Sequence, residues 1–159
     1  MADILIRPVQ DSDAKGLIKL IGDCFNEYEN VVLEPYGIDR DLQAYATEVA
    51  ALGGEAFVVD MDEEIVALVS YAPVNNVRFQ LKRLYLSVKL HGSGMGLTLL
   101  HHVENIARKS DAVEMELWSD TRFERAHRFY AREGYVKQRE TRELGDISNT
   151  TEYMFVKQL

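Results

Sequence analysis

The sequence predicts a single α/β domain with a mixed sheet. Segments with strand-like and helix-like patterns alternate along the chain in the order β-α-α-β-β-β-α-β-α-β-β. No internal repeat or low-complexity tract interrupts this order. The composition agrees, because 47% hydrophobic and 28% charged residues are typical of a globular protein. We therefore expect one domain over residues 1–159, with about seven strands and about four helices.

The first third of the chain predicts one strand and two helices. An apolar run at residues 4–9 has the composition of a strand. We expect Asp11 or Ser12 to cap the first helix, and Asp39 or Asp41 to start the second, which a glycine pair ends. The first helix has a helically spaced apolar stripe, which we expect to be buried, formed by Leu17, Ile18, Ile21, Cys24, Phe25 and Tyr28.

Three strands follow, and the third leads into a glycine-rich loop. The runs at residues 56–60 and 65–71 are joined by an acidic turn, as in a hairpin. Residues 81–88 form the third strand, because apolar and polar side chains alternate in its second half. The segment His91-Gly92-Ser93-Gly94-Met95-Gly96 comes next and runs directly into an amphipathic helix.

The last third predicts a strand, a helix and two further strands. After a strand at residues 113–118, Thr121 and Glu124 have the spacing of a capping box, in which each side chain bonds the backbone of the other residue. The helix that follows ends at Gly134, since glycine readily adopts the left-handed conformation of a helix stop. The final strands are expected at residues 135–137 and 153–156, on either side of a polar loop.

Charge and cysteine content exclude several classes of function. A net charge of -8 argues against nonspecific binding of nucleic acid and favours cationic partners. The sequence has no apolar run of membrane-spanning length and no signal-peptide pattern, so we expect no membrane association. The single cysteine, Cys24, suits a reducing cytoplasm, and we expect it to pack as a small core side chain. We expect no metal site, because no Cys/His group has zinc-ligand spacing.

The glycine-rich loop between strand and helix predicts an anion-binding site. Unpaired amide N–H groups and the positive end of the helix dipole point toward such a loop, and glycines let an anion approach the backbone closely. The spacing excludes a P-loop, because no lysine follows Gly96, and it does not match the dinucleotide-binding fingerprint. Another nucleotide- or phosphate-binding α/β protein nevertheless remains an open alternative at this point.

Two motifs together resemble the GNAT acetyltransferase superfamily over essentially the whole chain. The glycine loop resembles the acyl-CoA loop Arg/Gln-Gly-x-Gly-x-Gly/Ala, and residues 126–135 resemble the pattern Ala-x-x-hydrophobic-Tyr-x-x-x-Gly-Phe/Tyr. The resemblance implies a GNAT-like fold with a mixed, mostly antiparallel sheet of about seven strands flanked by about four helices. It also implies an N-acetyltransferase that uses acetyl-CoA as co-substrate.

The resemblance assigns binding roles to several residues. Backbone groups of Leu86 and Val88, on either side of Ser87, would pair with the pantetheine arm like an added strand. Tyr130 would lie beside the thioester sulfur, and many members have an asparagine where this chain has Phe123. The amides that would hold the pyrophosphate belong to His91, Gly92, Ser93, Gly94, Met95 and Gly96.

Acetyl transfer to an amine requires proton movement at two points. An alkyl ammonium with a pKa near 10.4 is neutral in only about one molecule in two thousand at pH 7, a cost of about 4–5 kcal/mol. A general base or a water chain must therefore remove its proton. Many family members have a glutamate where Gln80 aligns, so Glu116 and Glu34 are the candidate bases here. Tyr130 is the candidate general acid for the departing thiolate.

The acceptor is the least determined part of the prediction. Loops at residues 26–40 and 143–151 would form its pocket, and the acceptor is a small amine, an amino acid or a peptide amine. Whether the acyl group is acetyl or longer stays open, as does a homodimer. A non-catalytic acyl-CoA-binding or regulatory module is the alternative function, because Gln80 cannot accept a proton. The side chains that could line the acceptor pocket are Tyr28, Glu34, Tyr36, Tyr71, Arg83, Tyr85 and Trp118.

Overall fold

The computed structural model describes residues 4–159, so residues 1–3 of the predicted domain lie outside the described part. The described chain contains seven strands and four α-helices, in the order that the sequence predicted. The strands are β1 (Ile4–Pro8), β2 (Glu55–Met61), β3 (Glu64–Pro73), β4 (Arg78–Leu86), β5 (Glu114–Asp120), β6 (Val136–Glu143) and β7 (Thr151–Gln158). The helices are α1 (Ala14–Phe25), α2 (Tyr45–Ala51), α3 (Met95–Lys109) and α4 (Glu124–Arg132).

All seven strands form one sheet in the order β1-β2-β3-β4-β5-β7-β6. Every neighbouring pair is antiparallel except β4 and β5, which are parallel because α3 connects them by a crossover. The prediction of a mixed, mostly antiparallel sheet is therefore confirmed. Strand β3 lies near the middle of the sheet, and its residues from Val66 to Ala72 are all buried.

The sheet splits between β4 and β5. Only four residue pairs join these strands, from Arg78 opposite Glu114 to Leu81 opposite Leu117. Beyond them β4 continues to Leu86 and β5 to Asp120 without pairing to each other. A strand edge without a neighbour presents backbone donors and acceptors, so the split can take up an extended ligand.

Separate hydrophobic clusters cover the two faces of the sheet. Helices α1 and α2 bury Leu17, Ile21, Tyr45 and Val49 against one face. On the other face α3 supplies Leu99, Leu100 and Val103, and α4 supplies Tyr130. The β4–β5 split therefore opens between helices that belong to opposite faces.

The cap predicted for α1 differs from the one in the structure. Asp11 and Ser12 lie in a 3-10 turn before α1, and Asp13 accepts the backbone N–H of Gln10 there. Asp11 instead accepts two hydrogen bonds from Thr47 at the start of α2, at 3.0 and 2.6 Å. The prediction that Asp11 or Ser12 caps α1 is wrong, because the carboxylate of Asp11 serves a helix distant in sequence.

The capping box predicted before α4 is also absent. Phe123 occupies the N-cap position of this helix, and its side chain makes no capping hydrogen bond. The carboxylate of Asp120 accepts the backbone N–H of Arg122 at 2.9 Å. The chain entering α4 is therefore fixed by Asp120 rather than by Thr121 and Glu124.

Strand β4 ends earlier than predicted. The hydroxyl of Ser87 accepts the N–H of Lys89, which starts a 3-10 turn over Val88–Leu90. Val88 is therefore outside the strand, and the prediction that it continues the β4 edge is wrong. Within residues 4–159, no helix has the length and apolar character needed to cross a membrane.

Candidate active site

The glycine loop forms a cradle of unpaired amides before α3. Gly92 and Gly94 have positive φ angles of 75° and 82°, which side chains other than glycine rarely adopt. The hydroxyl of Ser93 donates to the carbonyl of Leu90 at 2.6 Å and accepts the N–H of Met95 at 3.2 Å, so it ties the loop together. Among the described residues, no partner bonds the N–H groups of Gly92, Gly94, Gly96 and Leu97.

A cavity of about 550 Å³ lies between this cradle, β4 and α4, and we call it the loop cavity. Of the residues predicted to bind the cofactor, its lining contains Leu86, His91, Gly92, Gly94, Gly96, Phe123 and Tyr130. The side chains of Leu84, Leu86 and Phe129 give it apolar walls. Four other predicted residues, Ser87, Val88, Ser93 and Met95, lie outside the lining, and Val88 is 64% exposed.

A second cavity of about 330 Å³ opens at the β4–β5 split, and we call it the split cavity. The chain segment before α2 and the loop between β6 and β7 close it on two sides. Its lining includes Arg83, Trp118 and Arg142 together with carboxylates from several elements. The two cavities share the lining residues Phe25, Leu84, Tyr85, Phe123, Ala126 and Tyr130.

Tyr130 lies where the two cavities meet. It is 7% exposed and packs edge-on against the rings of Phe129 and Tyr135, with centroids 5.5 and 5.7 Å away. Burial raises the pKa of its hydroxyl above the usual value. Within the described chain this hydroxyl has no hydrogen-bond partner. It is therefore protonated at neutral pH and free to donate to a bound ligand.

Tyr85 approaches the same junction from the opposite face of the sheet. It packs edge-on against Phe25 of α1, with ring centroids 5.8 Å apart. Burial raises the pKa of Tyr85, and the Tyr130 hydroxyl lies close enough to add to this effect. Two protonated phenols therefore border the passage between the cavities.

The two predicted bases lie outside both linings. Glu116 is 6% exposed, and its carboxylate accepts hydrogen bonds from Arg78, Gln80 and Trp118 at 3.0–3.3 Å. Glu34 accepts the backbone N–H of Ile147 at 3.3 Å and so links two loops. The structure therefore does not bring either carboxylate to the junction that contains Tyr130.

The carboxylates that do line the split cavity are engaged by neighbouring side chains. Arg83 pairs with Asp39 and Asp41 at 3.3 and 3.1 Å. Glu152 pairs with Arg142 at 2.7 Å, and Asp146 accepts two hydrogen bonds from Thr150 at 2.6 and 2.7 Å. Neither Asp146 nor Glu152 belongs to a sequence motif, so no local pattern predicts a role for them.

Arg122 connects the two loops at the mouth of the split cavity. Its guanidinium makes a bidentate contact with Asp120 at 2.9 and 2.7 Å. It also donates to the carbonyl of Ser148 at 3.1 Å and to the hydroxyl of Thr150 at 3.2 Å, and both residues lie in the loop between β6 and β7. A further contact of 3.5 Å reaches the carbonyl of Asn30. One side chain therefore holds both loops that border the cavity.

The predicted pocket walls are only partly correct. Arg83, Tyr85 and Trp118 line the split cavity, and Tyr28 lines the loop cavity. Tyr36 is 94% exposed and lines neither. Tyr71 lies in the core, where it stacks on Phe79 and donates to Glu55 at 2.6 Å.

Cys24 borders the loop cavity but is not an activated nucleophile. Its thiol donates to the carbonyl of Leu86 at 3.3 Å, and the side chain packs against the α1–α2 core. Burial raises the pKa of the thiol to about 11, so it is neutral at pH 7. This agrees with the predicted role as a core side chain.

Comparison with known proteins identifies the family. Residues 16–135, well over half of the chain, match the model of the acetyltransferase (GNAT) family. The chain belongs to this family. Comparison with curated proteins gives no match. Members use acetyl-CoA as acyl donor, and the GNAT assignment agrees with the glycine cradle at the start of α3.

Solved structures of GNAT-type proteins share the fold at low sequence identity. An acetyltransferase of Streptococcus agalactiae is 18% identical with a TM-score of 0.82, each chain covered to 98%. PaiA N-acetyltransferase of Thermoplasma acidophilum, solved with coenzyme A, is 19% identical with a TM-score of 0.73 and 99% of both chains covered. A ribosomal-protein-alanine N-acetyltransferase of Brucella melitensis is 17% identical with a TM-score of 0.72, covering 98% of this chain and 99% of that one.

The residues of this chain fit acetyl-CoA. A Cβ built on Gly92 or Gly94 meets no atom within 4 Å, so the cradle has open space in front of its free amides. Those amides suit a pyrophosphate, and the apolar walls of the loop cavity suit a pantetheine arm. Across residues 4–159, no group of three or more His, Cys, Asp or Glu side chains could hold a metal ion.

Proposed function

We propose that this GNAT-family acetyltransferase transfers the acetyl group of acetyl-CoA to a primary amine, by direct attack in a ternary complex. The acceptor would be a small molecule, an amino acid or a peptide. The observation that supports this most strongly is that the loop cavity and the split cavity meet at Tyr130. An acyl donor in one cavity and an amine in the other would therefore face each other beside an unpartnered phenol.

In this reaction the chain binds and orients acetyl-CoA and supplies a proton to the departing thiolate. Acetyl-CoA supplies a thioester carbon that an amine can attack. The amides of Gly92, Gly94 and Gly96 hold the pyrophosphate, and the free edge of β4 near Leu86 aligns the pantetheine arm. The Tyr130 hydroxyl then donates its proton to the departing thiolate, because no other partner competes for it.

Deprotonation of the acceptor needs a group other than the two predicted bases. Glu116 has three donors on its carboxylate, and Glu34 bonds a neighbouring loop, so neither faces the amine. We further propose that the reaction takes place in the cytoplasm, since a reducing compartment suits the free thiol of Cys24.

An amine panel with a thiol-release readout tests this function. Purified protein is mixed with acetyl-CoA and one amine at a time, and the free CoA released is measured. The amines tested are diamines, aralkylamines, amino acids and peptides. We expect release that depends on one class of amine, with a matching acetylated product by mass spectrometry. Calorimetric CoA binding without turnover on any amine would instead support the non-catalytic acyl-CoA-binding module.

A further inference from the structure

A serine and a histidine form a hydrogen-bonded pair beside the split cavity. Ser119 lies on β5, lines this cavity and is 8% exposed. Its hydroxyl oxygen lies 3.1 Å from Nε2 of His127 on α4. Met115 and Leu117, on the same side of β5, pack in the α3–α4 core, so the strand alternation aims Ser119 at α4. The pair thus connects the split cavity to a titratable imidazole ring.

The surroundings of His127 keep its ring neutral at neutral pH. Its ring packs against Tyr153 and Phe155, with centroids 5.6 and 5.2 Å away. Burial lowers the pKa of His127 from its usual value, and Lys137 on β6 acts in the same direction. The backbone and carboxylate of Asp120 and the carboxylate of Glu124 oppose this effect without cancelling it. A neutral imidazole has one nitrogen that can accept a proton.

We infer that Ser119 and His127 form a proton relay that deprotonates the acceptor ammonium. In this relay the proton leaves the ammonium nitrogen for the hydroxyl oxygen of Ser119, while the hydroxyl proton of Ser119 moves to Nε2 of His127. The relay uses the tautomer with a proton on Nδ1, and it leaves a neutral amine and an imidazolium. The half-exposed imidazolium then releases its proton to water. The inference rests on the proposed acetyl transfer to an amine.

Other groups of the split cavity are less suited to this task. Its lining carboxylates Asp39, Asp41, Asp120 and Glu152 are paired with arginines, and Asp146 is bonded by Thr150. The lining hydroxyls of Ser148 and Thr150 bond loop or carboxylate partners. Among the described lining residues, Ser119 is the one hydroxyl joined to an imidazole.

Three variants and one matched control test the relay. His127→Gln keeps a polar side chain near Ser119 but cannot take up a proton. Ser119→Ala removes the relaying hydroxyl, and Ser119→Thr restores one. His101→Gln is the control, because His101 is exposed on α3 and bonds only Glu133. For each protein, kcat is measured from pH 5.5 to 9 with the best amine, together with KM for acetyl-CoA and Tm.

The expected result separates proton transfer from packing. The relay works only with neutral His127, so wild-type kcat should rise with pH through an ionisation on the acid side of a free imidazole. His127→Gln and Ser119→Ala should lower kcat at pH 7 by about 100-fold and abolish that ionisation, with KM for acetyl-CoA within about twofold of wild type. Ser119→Thr should recover a large share of kcat, and His101→Gln should match the wild type.

Two results would overturn the relay while leaving the proposed function intact. One is a kcat within twofold of wild type in Ser119→Ala. This variant alone tests the relay if His127→Gln does not fold. The other is persistence of the low-pH ionisation in His127→Gln. Wild-type protein that binds CoA but acetylates no amine would instead remove the proposed function, and the relay with it.

Discussion

Replacing Tyr130 by phenylalanine separates the proposed catalytic role of this residue from its packing role. The ring stays, with its contacts to Phe129 and Tyr135, and only the hydroxyl is lost. That hydroxyl has no hydrogen-bond partner in the described chain, so its removal leaves no buried group unpaired. We expect the free energy of unfolding to change by less than about 0.5 kcal/mol.

Activity should respond very differently from stability. Loss of a general acid typically costs about 10²–10⁴-fold, so kcat of Tyr130→Phe should fall by at least about 100-fold. KM for acetyl-CoA should change by less than about threefold, because in the proposed complex the glycine loop and β4 make the pyrophosphate and pantetheine contacts. Thiol release under saturating acetyl-CoA and amine measures kcat, and chemical denaturation measures stability.

Tyr135→Phe is the matched control, since it removes a hydroxyl from a neighbouring buried tyrosine. This hydroxyl donates to Glu104 at 2.7 Å, and Glu104 is fully buried with Lys157 as its other partner. The control should lose about 1–3 kcal/mol of stability and keep kcat within about threefold. An unchanged kcat in Tyr130→Phe, or equal loss of kcat in both variants, would refute the assignment of the general acid.

Four further variants or reactions test other parts of the site. Arg122→Met releases the two loops that Arg122 joins, so KM for the amine should rise about tenfold or more while calorimetric affinity for CoA stays unchanged. Gly94→Ala places a Cβ at a φ of 82° in the open cradle, so CoA affinity should weaken and stability fall by about 1–2 kcal/mol, measured by calorimetry and denaturation. Gly54→Ala puts a Cβ 1.9 Å from the carbonyl oxygen of Tyr71, and thermal unfolding should show a loss of about 3 kcal/mol or more. Alkylation of Cys24 by iodoacetamide should be slow at pH 7 and accelerate with pH toward about 11, and bound CoA should slow it further.

Local sequence patterns predicted the elements of the fold but not the contacts between distant segments. The order of strands and helices, the turn at Gly134 and the burial of Leu17 and Ile21 on α1 follow from apolar spacing and backbone preference, which act over a few residues. The hydrogen bonds between Asp11 and Thr47 join residues 36 positions apart, so no short pattern reveals them. No short pattern reveals the order of the strands in the sheet either, and this order determines that the split opens between β4 and β5.

Motifs predicted the lining of the loop cavity better than the lining of the split cavity. The glycine loop and the segment around Tyr130 are continuous, so their spacing carries the information. The sequence allowed Glu116 to act as a general base. In the fold, however, Arg78 and Gln80 on the neighbouring strand donate hydrogen bonds to its carboxylate. Pairing between β5 and β7 places Asp120 opposite Glu152, a neighbour relation that only the folded sheet creates.

The split between β4 and β5 brings the two cavities together at one point. A continuous sheet would separate the α1–α2 face from the α3–α4 face, so Tyr85 and Tyr130 would lie on opposite sides of a closed backbone layer. Because pairing stops at Leu81 and Leu117, the two faces communicate through the gap. In the proposed complex, the free edge of β4 aligns the donor along the sheet and the acceptor enters between the loops that Arg122 joins.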